Sequence, residues 1–274
     1  VFTDMRVWGN ATKVKAFVER IDANYYSLGS PSLINDMLRW KAEVSQGFLK
    51  NKIYISAYTR QDANSLDPLL TTSKSTTKSY GVSGTANFPK WPSITMSFAP
   101  YAQNNQIVAT NQDLSTNATM INFNLGYPVS ITKQLSSYTQ LTYLAQNLNS
   151  NIPGIDYNLK MFGITQSLTY NKTSFNIVAN YTPNQVIGND NHEVTTINTN
   201  GSFIILDKWQ NTIGIQYLSV SGIESKTGYI ITSSYPVASF ANLEWRLTKN
   251  IYQTILDVNN FDEWIMWTGV RLNW

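Results

Sequence analysis

The sequence contains no cysteine, one histidine and few charges. Without cysteine there is no disulfide, no thiolate metal site and no cysteine nucleophile, and the redox compartment stays open. Charged residues make up 14% of the 274, well below the roughly 25% of soluble domains. The net charge is only +3 and no Lys/Arg cluster occurs, which argues against a nucleic-acid partner. No run of about 18 apolar residues exists, so a transmembrane helix is excluded. No helical period of useful length is present, so no large helical plug is expected. No repeat of about 20–50 residues occurs beyond the hairpin itself. The chain starts at Val1 without Met or a signal peptide. Either processing removed a leader, or this is the C-terminal part of something longer.

Aromatic residues and alternation are abundant. Aromatics reach 13%, with 16 Tyr and 8 Trp, among many Asn, Ser and Thr. The last stretch, Asp262–Trp274, is DEWIMWTGVRLNW. Counting back in twos gives Trp274, Leu272, Val270, Thr268, Met266 and Trp264, an apolar face broken by one threonine. The interleaved face is Asn273, Arg271, Gly269, Trp267 and Ile265. This period of two marks a strand with one greasy side. Ile121–Ile131 is the clearest internal case. There Ile121, Phe123, Leu125, Tyr127, Val129 and Ile131 oppose Asn122, Asn124, Gly126, Pro128 and Ser130. Similar stretches, among them Ile213–Tyr217, Tyr235–Leu247 and Tyr252–Val258, bring the count to about fourteen strands.

Connection lengths alternate as well. Short turns are KNK (Lys50–Lys52), PKWP (Pro89–Pro92), TKQ (Thr132–Gln134), NK (Asn171–Lys172), DKWQN (Asp207–Asn211) and TKN (Thr248–Asn250). Longer loops are Gln61–Lys78, Gln103–Thr116, Gln146–Asp156 and Thr182–Glu193. Short on one side and long on the other is the asymmetry of outer-membrane barrels, with periplasmic turns and extracellular loops. The pattern predicts an all-β, antiparallel transmembrane up-and-down β-barrel of about fourteen strands. Residues 1–274 form a single barrel domain in this reading, with the C-terminus in the periplasm. The competing architecture is a soluble β-sandwich or barrel with its apolar faces in a core. The polar faces carry Asn, Ser, Thr, Gly and Gln rather than Lys and Glu, which suits a water-filled interior better.

Three stretches carry a family resemblance: the terminal VRLNW (Val270–Trp274), YYSLGSPSLINDMLRWKAEVSQGFLKNKIYIS (Tyr25–Ser56) and TTKSYGVSGTANFPKWPSITMSFAPY (Thr76–Tyr101). The chain resembles outer-membrane barrels of the Bacteroidota kind, as found in the C-terminal half of large barrel proteins. The resemblance implies a membrane barrel inserted by the barrel-assembly machinery, with Trp274, Leu272 and Val270 as the insertion signal. It assigns no functional residue.

Candidate chemistry lies on the polar faces. If the apolar faces look outward, the inward charges are Arg39, Lys41, Glu43 and Arg60 early, and Glu244, Arg246, Asp257 and Arg271 late. Glu19 joins the early group, and Arg20 does so if a bulge shifts the register. In a closed barrel the first and last strands are neighbours, so the two groups would form one charged wall. Opposite it, Asn122, Asn124, Asn176, Asn180, Asn198 and Asn200 are uncharged. Such a wall either sets ion selectivity in a pore or braces the seam by salt bridges. His192, in GNDNHE (Gly188–Glu193), reads as a solvated loop histidine, since a hydrolase would need a serine or acid beside it. The oxygen-rich neighbours Asn189, Asp190, Asn191 and Glu193 read as turn residues rather than calcium ligands. No metal or other cofactor is expected.

These observations predict a non-enzymatic pore for small polar solutes in the bacterial outer membrane. The second reading is an accessory barrel subunit of an envelope complex for secretion, assembly or surface-protein display. Expected partners are outer-membrane lipid and lipopolysaccharide, the assembly machinery during insertion and, on the second reading, other envelope proteins.

Overall fold

The fold is described from a computed structural model. It covers residues 2–7, 12–22, 36–64, 73–107, 112–152, 156–187, 190–254 and 260–272. The described residues are all β. The strands are β1 (Phe2–Val7), β2 (Thr12–Ile21), β3 (Met37–Phe48), β4 (Ile53–Asn64), β5 (Ser73–Ala86), β6 (Ser93–Ile107) and β7 (Gln112–Ser130). They continue as β8 (Leu135–Ser150), β9 (Tyr157–Tyr170), β10 (Thr173–Ile187), β11 (Asp190–Ile205), β12 (Trp209–Val220), β13 (Glu224–Ala238), β14 (Ala241–Thr254) and β15 (Phe261–Leu272). The strands hydrogen-bond in sequence order, up and down, in one antiparallel sheet. Fourteen strands follow β1, which itself pairs with β2 from Phe2↔Phe17 to Val7↔Thr12. The chain divides into two compact units, residues 1–124 with 144–159, and residues 125–143 with 160–274.

In the first unit the registers set apolar side chains in rows. Val14, Val44, Ala57, Val82 and Phe98 are aligned across β2–β6, and Phe48, Ile53, Ala86 and Ile94 across β3–β6. In the second unit Phe175, Gly201, Ile213, Ile231, Leu247 and Met266 form one such row across β10–β15. A flanking row is Ile177, Thr199, Ile215, Tyr229, Lys249 and Trp264. Residues two apart share a face of a pleated strand, so single-residue alternation in the sequence becomes a continuous band.

That band is not a core. Among the described residues the buried hydrophobic side chains are Met37, Val220 and Ala241, and no large side chain is fully buried. Met266 is 72% exposed, and Tyr127, Phe162, Ile213 and Leu243 are exposed too. A soluble protein rarely leaves so continuous an apolar area in water. The soluble-sandwich architecture, which needs these faces covered, does not fit.

Several turns fall where the sequence places them. Leu49, Lys50 and Asn51 take positive φ between β3 and β4, and Asn171 does so between β9 and β10. Asparagine tolerates that region better than most residues. Leu206 and Asp207 carry the turn before β12, so Trp209 is already strand. Thr248–Asn250 is a correction: TKN is not a turn but mid-strand in β14. Thr248 and Asn250 fall on the polar face, and Lys249 on the apolar one ion-pairs with Asp262 at 3.2 Å. The turn is instead Ser239–Phe240, after a register shift between Pro236 and Ala238. The predicted strand 235–247 therefore joins the end of β13 to the start of β14. The Thr182–Glu193 loop is also mostly strand, because β10 runs to Ile187 and β11 starts at Asp190. A register shift between Thr182 and Gln185 accommodates it.

Candidate functional site: two charged polar faces

On the polar face of β2–β4, registers bring charges of both signs together. Glu19 pairs with Arg39, and Arg39 with Asp62; Lys15 pairs with Glu43, and Lys41 with Arg60. Asp62 is the hub. Its Oδ1 accepts from Arg39 Nε at 2.7 Å, and its Oδ2 lies 2.6 Å from an Arg60 terminal nitrogen. Arg39 also reaches Glu19 at 3.5 Å, and Lys41 Nζ donates to Glu43 at 2.8 Å. Charge-assisted bonds of this kind are roughly twice as strong as neutral ones. Lys41 also lies 5.4 Å from the centre of the Tyr58 ring. That ring lies where a β-carbon on Gly81 would be, directly across the strand pair. Only glycine at 81 lets the tyrosine lie flat.

Among the described residues, the same face carries neutral groups across β5–β7. Ser56 and Ser83 hydroxyls meet at 2.7 Å, Gln103 donates to Asn105 at 3.1 Å, and Asn124 donates to Asn122 at 2.9 Å.

The second unit repeats the theme on β13–β15. Glu244 and Arg271 pair at 3.3 Å, and Arg246 Nε donates to Thr248 Oγ1 at 3.3 Å. Trp267 sits directly across from Arg246, and its indole covers Gly269. Toward the other end of the strands, Asn250 and Tyr252 donate to Glu263 at 2.5 and 2.8 Å. Tyr252 stacks on Phe261 at 4.4 Å, and Lys226 lies 4.8 Å from the tyrosine ring centre. With β12 these strands line a cavity of about 740 Å³ that includes Gln210, Thr232, Glu244, Arg246, Trp267 and Arg271. Across β10–β12 the same face carries Asn176 donating to Asn200 at 3.1 Å, Asn180 donating to Thr196 at 3.3 Å, and Ser202 with Thr212 at 2.9 Å.

Arg39, Lys41, Glu43 and Arg60 thus stand together on one face, and Glu244, Arg246 and Arg271 together on another. Glu19 joins the first group, while Arg20 pairs with Leu38 on the apolar face and bonds Asp22 instead. Asp257 and Trp274 lie outside the described residues. Val270 and Leu272 are on the apolar face of β15, opposite Leu243 and Ala241. His192 Nδ1 meets the carbonyl oxygen of Ser221 at 2.7 Å. Sequence reasoning missed Asp62, Glu263 and Lys226. Continuing the β4 alternation two residues past Arg60 would have found Asp62. Continuing the interleaved face of the last strand two residues before Ile265 would have found Glu263 in the same way.

The chain aligns with solved structures over nearly its whole length. FpvA of P. aeruginosa, bound to heterologous pyoverdines, matches 97% of this chain at 10% identity with a TM-score of 0.51. The FrpB iron transporter of Neisseria meningitidis, as apoprotein, matches 94% at 8% identity with a TM-score of 0.50. The fold is that of an outer-membrane β-barrel. The chain spans about half the length of these structures, 50% of FpvA and 53% of FrpB. No protein-family model and no curated protein matches it.

Proposed function

We propose that this chain is a non-enzymatic, integral outer-membrane barrel that passes small polar solutes. The observation that carries the reading is the sidedness of the sheet. One face is a band of exposed Ile, Leu, Met, Phe, Tyr and Trp, and the other is hydroxyls, amides and two clusters of opposed charge. The first face suits lipid and the second suits water. In this reading the turns at Leu49–Lys52, Asn171–Lys172 and Leu206–Lys208 face the periplasm, as does the C-terminus. Outer-membrane lipid and lipopolysaccharide cover the apolar band, and the barrel-assembly machinery inserts it. The likeness of its terminal and early hairpins to Bacteroidota barrels is consistent with that origin.

Charged side chains lining a pore bias its ion selectivity. Purified protein should give single-channel steps in a planar bilayer. Neutralising Arg39 and Arg246 together, as Arg39→Gln and Arg246→Gln, should shift the reversal potential in a salt gradient toward cation preference. Steps with no shift would remove these residues from any selectivity role, and no steps at all would remove the pore.

The accessory-subunit reading is favoured by the paired ends of β5 and β6. There Lys74↔Gln106, Ser75↔Asn105 and Thr76↔Asn104 make the open end of the strand pair polar on both faces, the composition of a wet contact surface. Stoichiometric envelope proteins copurifying in mild detergent, with no channel steps, would select it.

A further inference from the structure

The cavity on β12–β15 combines three features that a plain aqueous wall does not need. The first is a platform. Trp267 is on the polar face, lines the cavity and is 51% exposed. Its indole lies over Gly269, where a β-carbon would sit 2.6 Å from Cζ2. The glycine therefore fixes the ring against the strand and leaves its other side to the cavity. An exposed indole on a wet face carries the cost of apolar surface in water, which a flat ligand with an apolar side would relieve.

The second is a positive charge beside the platform. Arg246 pairs in register with Trp267, and its guanidinium is held at Nε by a neutral hydroxyl, Thr248 Oγ1. Among the described residues no acid is recorded against it. Its terminal nitrogens are the fork that recognises a carboxylate bidentately. Arg271, by contrast, is matched by Glu244 at 3.3 Å. The third is a set of neutral groups on the same lining: Gln210, Gln216, Thr212 and Thr232. These suit a ligand rich in hydroxyls.

We infer that the Trp267–Arg246 cavity is a binding site for an acidic monosaccharide unit, such as a uronate. The apolar C–H side of the pyranose packs on the Trp267 indole. Its carboxylate meets Arg246, and its hydroxyls bond Gln210, Gln216, Thr212 and Thr232. This deepens the pore reading by naming the solute class, and it rests on that face being reached by water.

The test is calorimetric titration of the detergent-solubilised full chain with glucuronate, glucose and acetate, together with bilayer recording. Glucuronate should bind, and both glucose, which lacks the carboxylate, and acetate, which lacks the ring, should bind roughly tenfold or more weakly. Trp267→Ala should weaken glucuronate by roughly tenfold, with Trp267→Phe restoring most of it. Arg246→Gln should remove the preference for glucuronate over glucose. If glucuronate fails to bind, or binds no better than acetate, the inference is overturned even where channel steps persist. If it binds as stated in a protein that never conducts, the inference stands and the pore reading falls. Variants are compared only when they keep the β circular-dichroism spectrum and the heat-modifiable gel mobility of the parent.

Discussion

Replacing Asp62 by asparagine tests the charged face of β2–β4 most directly. The substitution preserves shape and removes the charge to which Arg39 and Arg60 both attach, at 2.7 and 2.6 Å. The Asp62 side chain is only 18% exposed, so water replaces the lost charge poorly. Arg39 retains Glu19 at 3.5 Å. Arg60 fares worse, because its buried Nε already has no partner among the described residues. A hydrogen bond to a charged group contributes about 1.5–3 kcal/mol. The two arginines are partly exposed, so the pair together should be discounted toward the surface value. The expected loss is about 2 kcal/mol, or roughly 30-fold in the folding equilibrium. The assay is denaturant unfolding of the protein in lipid vesicles, followed by tryptophan emission. The midpoint should fall while the slope is unchanged, since no new surface is exposed. A double-mutant cycle with Arg39→Gln should return a coupling above about 0.5 kcal/mol. An unchanged midpoint with zero coupling would show that the network contributes nothing, as exposed pairs often do.

Three further predictions follow from the same geometry. Ile215 and Gln216 are adjacent on β12 but face opposite ways; Ile215→Arg should cost about 2–4 kcal/mol in lipid and Gln216→Arg little, and equal costs in vesicle unfolding would reverse the sidedness. Gly81→Val must displace the Tyr58 ring and should lower the unfolding midpoint by about 1–3 kcal/mol, an effect that Tyr58→Ala should largely absorb in the double variant. At the exposed turns, the hydrogen bond and nearby charge of Lys172 hold the Asp207 carboxyl below its ordinary range. This contribution is present above the unfolded carboxylate pKa and is lost as pH falls through the lower folded value, so a small acid-side loss of stability should be missing in Lys172→Gln.

What could be read from the sequence depended on contrast between the two faces. Ile121–Ile131 alternates greasy and polar side chains without a break, so its strand and its sidedness were both visible. β13 was not, because Tyr229, Ile230 and Ile231 are consecutive apolar residues and blur the period of two. Without that contrast the alternation runs on through Ser239–Phe240, and TKN carries the stronger turn signal. The extended ends of β5 and β10 were read as loops for the opposite reason. SKSTTKS is polar on both faces, and only hydrogen-bond pairing defines it as strand. The charged residues on each polar face followed from alternation alone. The Asp62 hub and the Trp267–Gly269 contact did not, because each is a relation between side chains rather than a property of one strand.

Strand order has one more consequence. Every strand takes its partner from the segment just before or just after it in the chain. Forming each new pair then closes only a short loop, so the entropy to be overcome is small and much the same at every step. Along this order no strand has to wait for a distant part of the chain; only the seam that closes a barrel would join its two ends. Assembly can advance one hairpin at a time, and a hairpin gained or lost inside the series changes the neighbours of only the two strands that flank it.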